Sequence, residues 1–199
     1  LYSLNASPVR DVGGLGLIPD AVLGDAPQLD VLHIPGGPGQ ESLMRDEAVL
    51  DWIRQQAAGA KILFSVCPGA LICGAAGLLR GRKAKSYWTV HNLLHLFGAT
   101  PVDARVVVDG DLVCAGGVTS GIDGALQVAA ILRGRQTAEA IQLAMQYAPE
   151  PPFDAGSPDR APQAAVETVR NATANLTARR EEPALAVAKR IGITAAAAD

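Results

Sequence analysis

Short apolar runs alternate along the chain with stretches whose apolar residues recur at helical spacing. That alternation predicts a doubly wound, mostly parallel sheet with helices on both faces. Val31-Leu32-His33-Ile34 reads as a buried strand ending at Pro35-Gly36-Gly37-Pro38-Gly39. A helix follows from about Glu41 to Ala58, with Leu43, Leu50, Ile53 and Ala57 along one stripe. Lys61 to Val66 is the next strand, Pro68 to Leu78 the next helix, Lys83 to Trp88 a further strand and His91 to Phe97 a short helix. Ala104 to Ala115 reads as a hairpin turning at Asp109-Gly110. After Gly116-Gly117, Thr119 or Ser120 can cap a helix to about Leu132, and Thr137 another to about Tyr147. Ala148 to Pro162, with five prolines and three acidic residues, reads as a surface loop. Helices from Gln163 to Arg180 and from Pro183 to Ile191 follow, then a frayed tail over 195–199. In this arrangement Ile62 to Val66 is a central strand buried on both faces, with Val31 to Ile34 beside it, neither at an open edge.

Without an internal repeat, residues 1–199 read as one α/β domain, and 199 residues suffice for one sizeable core. The net charge of −3 offers no basic field, which argues against nucleic acid or an anionic membrane as partner. The chain has no run of about 18 apolar residues, the length a membrane-spanning helix needs. Three scattered cysteines do not make a disulfide scaffold, so free thiols in a reducing, cytoplasmic compartment are expected. The start, Leu1-Tyr2-Ser3-Leu4, lacks an initiator Met and reads as the middle of a strand. The numbered chain is therefore expected to be part of a longer product.

The chemistry concentrates at Cys67, in Ser65-Val66-Cys67-Pro68-Gly69-Ala70. A strand-to-helix turn lies at the carboxyl end of a strand, where doubly wound sheets bind ligands. The helix N-terminus is expected to lower the thiol pKa, and Gly69 and Ala70 keep the turn small. A buried core thiol is the alternative for Cys67 and the preferred reading for Cys73 and Cys114. Gly36 and Gly37 could present backbone N–H groups or form a plain turn, and Gly117-Val118-Thr119-Ser120-Gly121 is a second glycine-rich joint. His33 reads as a core histidine. His91 and His95 are one helical turn apart but lack a third ligand, so no metal is expected, and no cofactor either.

Ile34-Pro35-Gly36-Gly37, Ser65-Val66-Cys67 and Gly117-Val118-Thr119-Ser120-Gly121-Ile122-Asp123 together resemble the ThiJ/PfpI superfamily, which has a flavodoxin-like fold and a cysteine nucleophile elbow. The chain is most similar to its isonitrile (isocyanide) hydratase branch. Gly74-Ala75-Ala76-Gly77-Leu78-Leu79-Arg80-Gly81, Trp88, Gln142, Tyr147-Ala148-Pro149-Glu150-Pro151-Pro152-Phe153 and Arg179-Arg180-Glu181 carry that similarity. The resemblance implies hydration of a small-molecule isocyanide to an N-substituted formamide, in a site formed at a homodimer interface. Cys67 would be the nucleophile. Gly36, Gly37, Pro68, Gly69, Tyr87, Trp88, Gly117, Val118 and Thr119 would supply pocket walls and backbone donors. The resemblance implies a further strand and helix at the start of the family's fold that supply an acidic residue beside the cysteine, and these are expected to precede Leu1. The hydratases usually carry Thr after the nucleophile where this chain has Pro68, and many relatives carry His where it has Tyr87. A catalytically impaired or redox-sensing relative is the alternative, and a glyoxalase- or amidase-type hydrolase a third reading.

Overall fold

The computed structural model describes residues 1–11 and 13–193, so the tail expected over 195–199 lies outside them. Four strands form the central sheet: β1 (Val31–Ile34), β2 (Ile62–Val66), β3 (Val106–Asp109) and β4 (Leu112–Ala115). Their order is β1-β2-β4-β3, with β1, β2 and β4 parallel and β3 antiparallel to β4. Side chains alternate between the two faces, and the strand sequences are apolar at both parities. Leu63 of β2 and Leu112 and Cys114 of β4 join the larger core, while Ile62, Phe64, Val113 and Ala115 join a smaller one on the other side. A strand buried on both faces needs such a continuous apolar run.

The helices are α1 (Gln40–Leu43), α2 (Glu47–Gly59), α3 (Gly69–Ala75), α4 (Val118–Arg133), α5 (Arg135–Ala144) and α6 (Gln163–Arg190). Val128 of α4 packs in the smaller core, and α2, α3 and α6 contribute to the larger one. All seven residues of α3 are buried, as suits a helix that is apolar all round. This is the expected flavodoxin-like α/β architecture. Short strands pair before it: Tyr2–Ser3 with Ala21–Val22, and Val9–Arg10 with Gly16–Leu17. Among the described residues, no helix is long and apolar enough to cross a membrane.

Several local expectations are corrected. The helix expected over 41–58 is two, because Asp46 caps a new start, its Oδ1 accepting from the N–H groups of Ala48 and Val49 at 3.1 and 3.2 Å. The strand expected over 83–88 is only Lys83–Ala84, and Trp88–Phe97 is a 3₁₀ helix. The hairpin turns one residue later than expected: Asp109 pairs with Leu112, leaving Gly110 and Asp111 as the connection. Thr137 caps nothing at the start of α5, its Oγ1 donating instead to the carbonyl of Arg133. The two C-terminal helices are one, running through Pro183, whose side chain is wholly buried. Packing against the core compensates for the hydrogen bond a mid-helix proline forfeits.

Ile62–Val66 is central as expected, but β1 is the outer strand of the sheet among the described residues. His33 follows from that position. It is exposed rather than in the core, its ring 4.8 Å from that of Phe64 and its Nδ1 3.2 Å from the Phe64 carbonyl.

Candidate active site

Strand β2 delivers Cys67 to the mouth of the sheet, and there the backbone turns sharply. Cys67 has φ 58°, one of two non-glycine residues at positive φ among those described. The left-handed region costs an L-residue about 1–2 kcal/mol, so the surroundings must hold it. The Cys67 N–H donates to the carbonyl of Ala115 on β4 at 2.8 Å, and Ser86 Oγ donates to the Cys67 carbonyl at 3.1 Å. Pro68, buried, is the N-cap of α3 with φ −72°. A helix leaves its first N–H groups unpaired, so proline suits this place, but it offers no donor there.

Close approach decides the glycines. A Cβ on Gly36 would lie 2.5 Å from the Cβ of Cys67, and one on Gly69 would lie 2.4 Å from the carbonyl oxygen of Ile34. The end of β1 and the start of α3 thus touch across the elbow, which any larger residue would wedge apart. Gly37 has φ 130° and presents its carbonyl to Arg180.

The thiol is half-buried, and burial pushes its pKa up to about 11, opposed by the charge of Arg180. The lowered value expected from a helix N-terminus is therefore corrected: removal of the sulfur from water outweighs the favourable charges. Cys73 and Cys114 are core thiols as expected, wholly buried, and burial raises both. Cys67 is the one cysteine of the three with access to solvent.

Sequence reasoning named Arg180 only within the Arg179-Arg180-Glu181 match and gave it no role at the site. Its side chain is buried, the residue being 4% exposed, and Nη2 donates to the Gly37 carbonyl and to Gln40 Oε1, both at 2.9 Å. The signal was present in the spacing: Arg180, Pro183, Ala184, Val187 and Ala188 form one buried helical stripe, concealed by treating Pro183 as a helix start.

Other expected residues divide into two groups. Ser86, which holds the elbow carbonyl, is followed by Tyr87 and Trp88, both half-buried, with ring centroids 6.0 Å apart. Arg170 of α6 lies over the Trp88 ring at 5.6 Å. Gly117 is the N-cap of α4, its N–H donating to Ser120 Oγ at 2.6 Å. Gly121, one turn later, packs against Val66, which brings this joint to the end of β2. The side chains of Val118 and Thr119 are not gathered onto Cys67: Val118 is 83% exposed, and Thr119 Oγ1 accepts from Arg105 Nη2 at 3.0 Å. Arg105 also pairs with Asp123, whose Oδ1 accepts from the Tyr147 hydroxyl at 2.7 Å. That network ties the start of the proline-rich loop to α4.

His91 accepts the Ser86 N–H at Nδ1 (3.3 Å), and burial, with Lys85 nearby, holds its pKa below the usual histidine value. His95 instead contacts the Asn92 carbonyl. Among the described residues no group of three or more His, Cys, Asp or Glu side chains is placed to hold a metal ion.

Comparison with known proteins places this geometry among relatives. The chain is 50% identical over 183 residues to the isonitrile hydratase of Pseudomonas putida, a match covering 92% of this chain and 80% of that protein. The crystal structure of a ThiJ/PfpI family protein from Pseudomonas syringae superposes with a TM-score of 0.88 at 39% identity, covering 92% of this chain and 77% of that one. Deglycase PfpI of Pyrococcus furiosus is 33% identical over 86 residues, 43% of this chain and 52% of that protein. The DJ-1/PfpI family profile matches residues 1–131, from the N-terminus through the elbow and into α4. Matched over more than half its length, this chain belongs to the DJ-1/PfpI family.

Proposed function

We propose that the protein adds water to an isocyanide, R–N≡C, to give the formamide R–NH–CHO, with Cys67 as nucleophile. The observation that carries this reading is the 50% identity to an isonitrile hydratase over 92% of the chain. A strained, solvent-reached cysteine at the end of the central strand is the chemistry that reaction requires.

The isocyanide carbon is the electrophile. An S–C bond forms to it and the thiol proton passes to the same carbon, giving a thioimidate, R–N=CH–S–Cys67. With its pKa near 11, the thiol still carries that proton at neutral pH. Water then adds across C=N, hydroxyl to carbon and proton to nitrogen. The C–S bond breaks as the hydroxyl proton returns to sulfur, releasing formamide and free thiol. Negative charge never settles on a carbonyl oxygen during the attack. Pro68, which has no N–H, is therefore less costly here than in amide hydrolysis, where one oxyanion donor is worth about 3–4 kcal/mol. Gly36 and Gly69 let the end of β1 and the start of α3 close against the elbow that holds the sulfur, and Gly37 turns the chain beside them, while in this reading Tyr87 and Trp88 wall the R group. A homodimer completes the reading, supported by exposed apolar side chains at Val118, Leu143 and Phe153.

Incubation of the protein with cyclohexyl isocyanide, with formamide followed by mass spectrometry, tests this. Turnover that disappears in Cys67→Ala supports it. Turnover retained in that variant removes the nucleophile, and no turnover by a folded protein removes the hydratase reading. In that last case, preferential alkylation of Cys67 by iodoacetamide favours the impaired or redox-sensing alternative, and Pro68, which has no N–H to donate, favours the impaired form.

A further inference from the structure

We propose that Arg180 is the positioning residue of the Cys67 site: from α6 it clamps the Gly36–Gly37 turn against the elbow and brings a positive charge to the turn on which Cys67 rests. The inference takes Cys67 as the reacting group of the proposed function and adds to it a residue whose charge favours the thiolate against the effect of burial.

Three observations converge. The guanidinium is buried, yet its hydrogen bonds go to neutral acceptors, the Gly37 carbonyl and Gln40 Oε1. A buried cation is costly without an anion to answer it. The neighbouring carboxylate, Glu41, spends Oε1 on Arg179 at 3.0 Å, and its buried Oε2 has no hydrogen-bond partner. Arg180 Nε is likewise buried with no partner. Secondly, the carbonyl it grips belongs to the residue after Gly36, the one that lies directly against Cys67. The clamp therefore spans 143 residues of sequence to fix the backbone against which the thiol rests. Thirdly, Arg180 is the charged group acting on Cys67, favouring thiolate, and Cys67 in turn favours the charged guanidinium.

The charges around the pair are few. From α1, Glu41 favours the guanidinium charge, and from α6, Arg179 opposes it. Lys85, His91 and Asp103 act on one another rather than on Cys67. His33 on β1 faces the Phe64 ring and carbonyl. Deprotonation of Cys67 thus adds a second anion, after Glu41, that favours the buried guanidinium.

The test is the pH profile of Cys67 alkylation by iodoacetamide, followed by peptide mass spectrometry on the full chain, alongside the thermal midpoint. In Arg180→Gln the alkylation midpoint should rise by about one pH unit, with about tenfold slower labelling at pH 8. Arg180→Lys, which keeps the charge, should hold the midpoint near that of the parent. Gln40→Ala removes one clamp partner and should leave the midpoint in place. A parent-like midpoint in Arg180→Gln overturns the proposal, as does Arg180→Lys shifting as far as Arg180→Gln. Should Arg180→Gln fail to fold, the lysine variant decides alone: a raised midpoint refutes the role of charge and an unchanged one supports it. No isocyanide enters this measurement, so its result stands apart from success or failure of the hydratase reading.

Discussion

Gly36 and Cys67 are in direct contact, with no room for a side chain between them: a Cβ at residue 36 would meet the Cys67 Cβ at 2.5 Å and the Val66 carbonyl at 3.0 Å. Neither atom is the far end of a flexible side chain, so relief requires the elbow backbone itself to move. Gly36→Ala should cost about 1–3 kcal/mol in urea denaturation and lower formamide production more than its residual stability accounts for. Parent-like turnover in this variant would show that the turn is looser than its contacts imply.

Cys67 holds a left-handed backbone that glycine adopts without penalty. Comparison of Cys67→Gly with Cys67→Ala isolates that strain, since both lack the thiol. The glycine variant should be the more stable by about 1 kcal/mol, and both should be inactive. An alanine variant as stable as the glycine one would mean that the elbow relaxes freely.

Stability should fall at alkaline pH. Burial raises the folded-state pKa of Cys67 to about 11, and raises those of Cys73 and Cys114 as well. Above the ordinary thiol range the unfolded chain loses protons that the folded chain keeps, so the unfolded state binds fewer and stability declines as pH rises. For Cys67 the contribution is complete below about pH 9 and lost as pH climbs from 9 towards 11. Urea midpoints at pH 8 and pH 10.5 should differ, and by less in Cys67→Ser. An equal fall in both proteins would remove Cys67 from the account.

Pro68 is the N-cap of α3 and makes no side-chain cap. Pro68→Thr restores a backbone N–H beside the sulfur and places a hydroxyl where it can accept from the first turn, which is worth about 1 kcal/mol. Thermal stability should hold or rise, and formamide production should increase if the absent donor limits the rate. Unchanged turnover at raised stability would show that the addition steps need no donor from residue 68.

The strand runs Val31–Ile34 and Ile62–Val66, the hairpin ending at Ala115 and the helix after Gly117 were all legible in the sequence, because apolar periodicity and glycine punctuation are local signals. Cys67 could be singled out for the same reason, as a thiol between an apolar strand and an apolar helix with Gly69 behind it. Tertiary structure decided the rest. Pro183 looks like a boundary to any rule that reads neighbours, yet burial of its ring against the core carries α6 straight through it. That continuous helix puts Arg180 on the buried stripe and beside a turn 143 residues earlier in the chain. His33 was misread for a related reason: its strand looks central by composition, but its place in the sheet order is at the edge. The sign of the Cys67 pKa shift also depended on the fold. A helix start can be read from sequence, whereas the number of atoms that close over the sulfur and exclude water from it is set only when distant segments pack together.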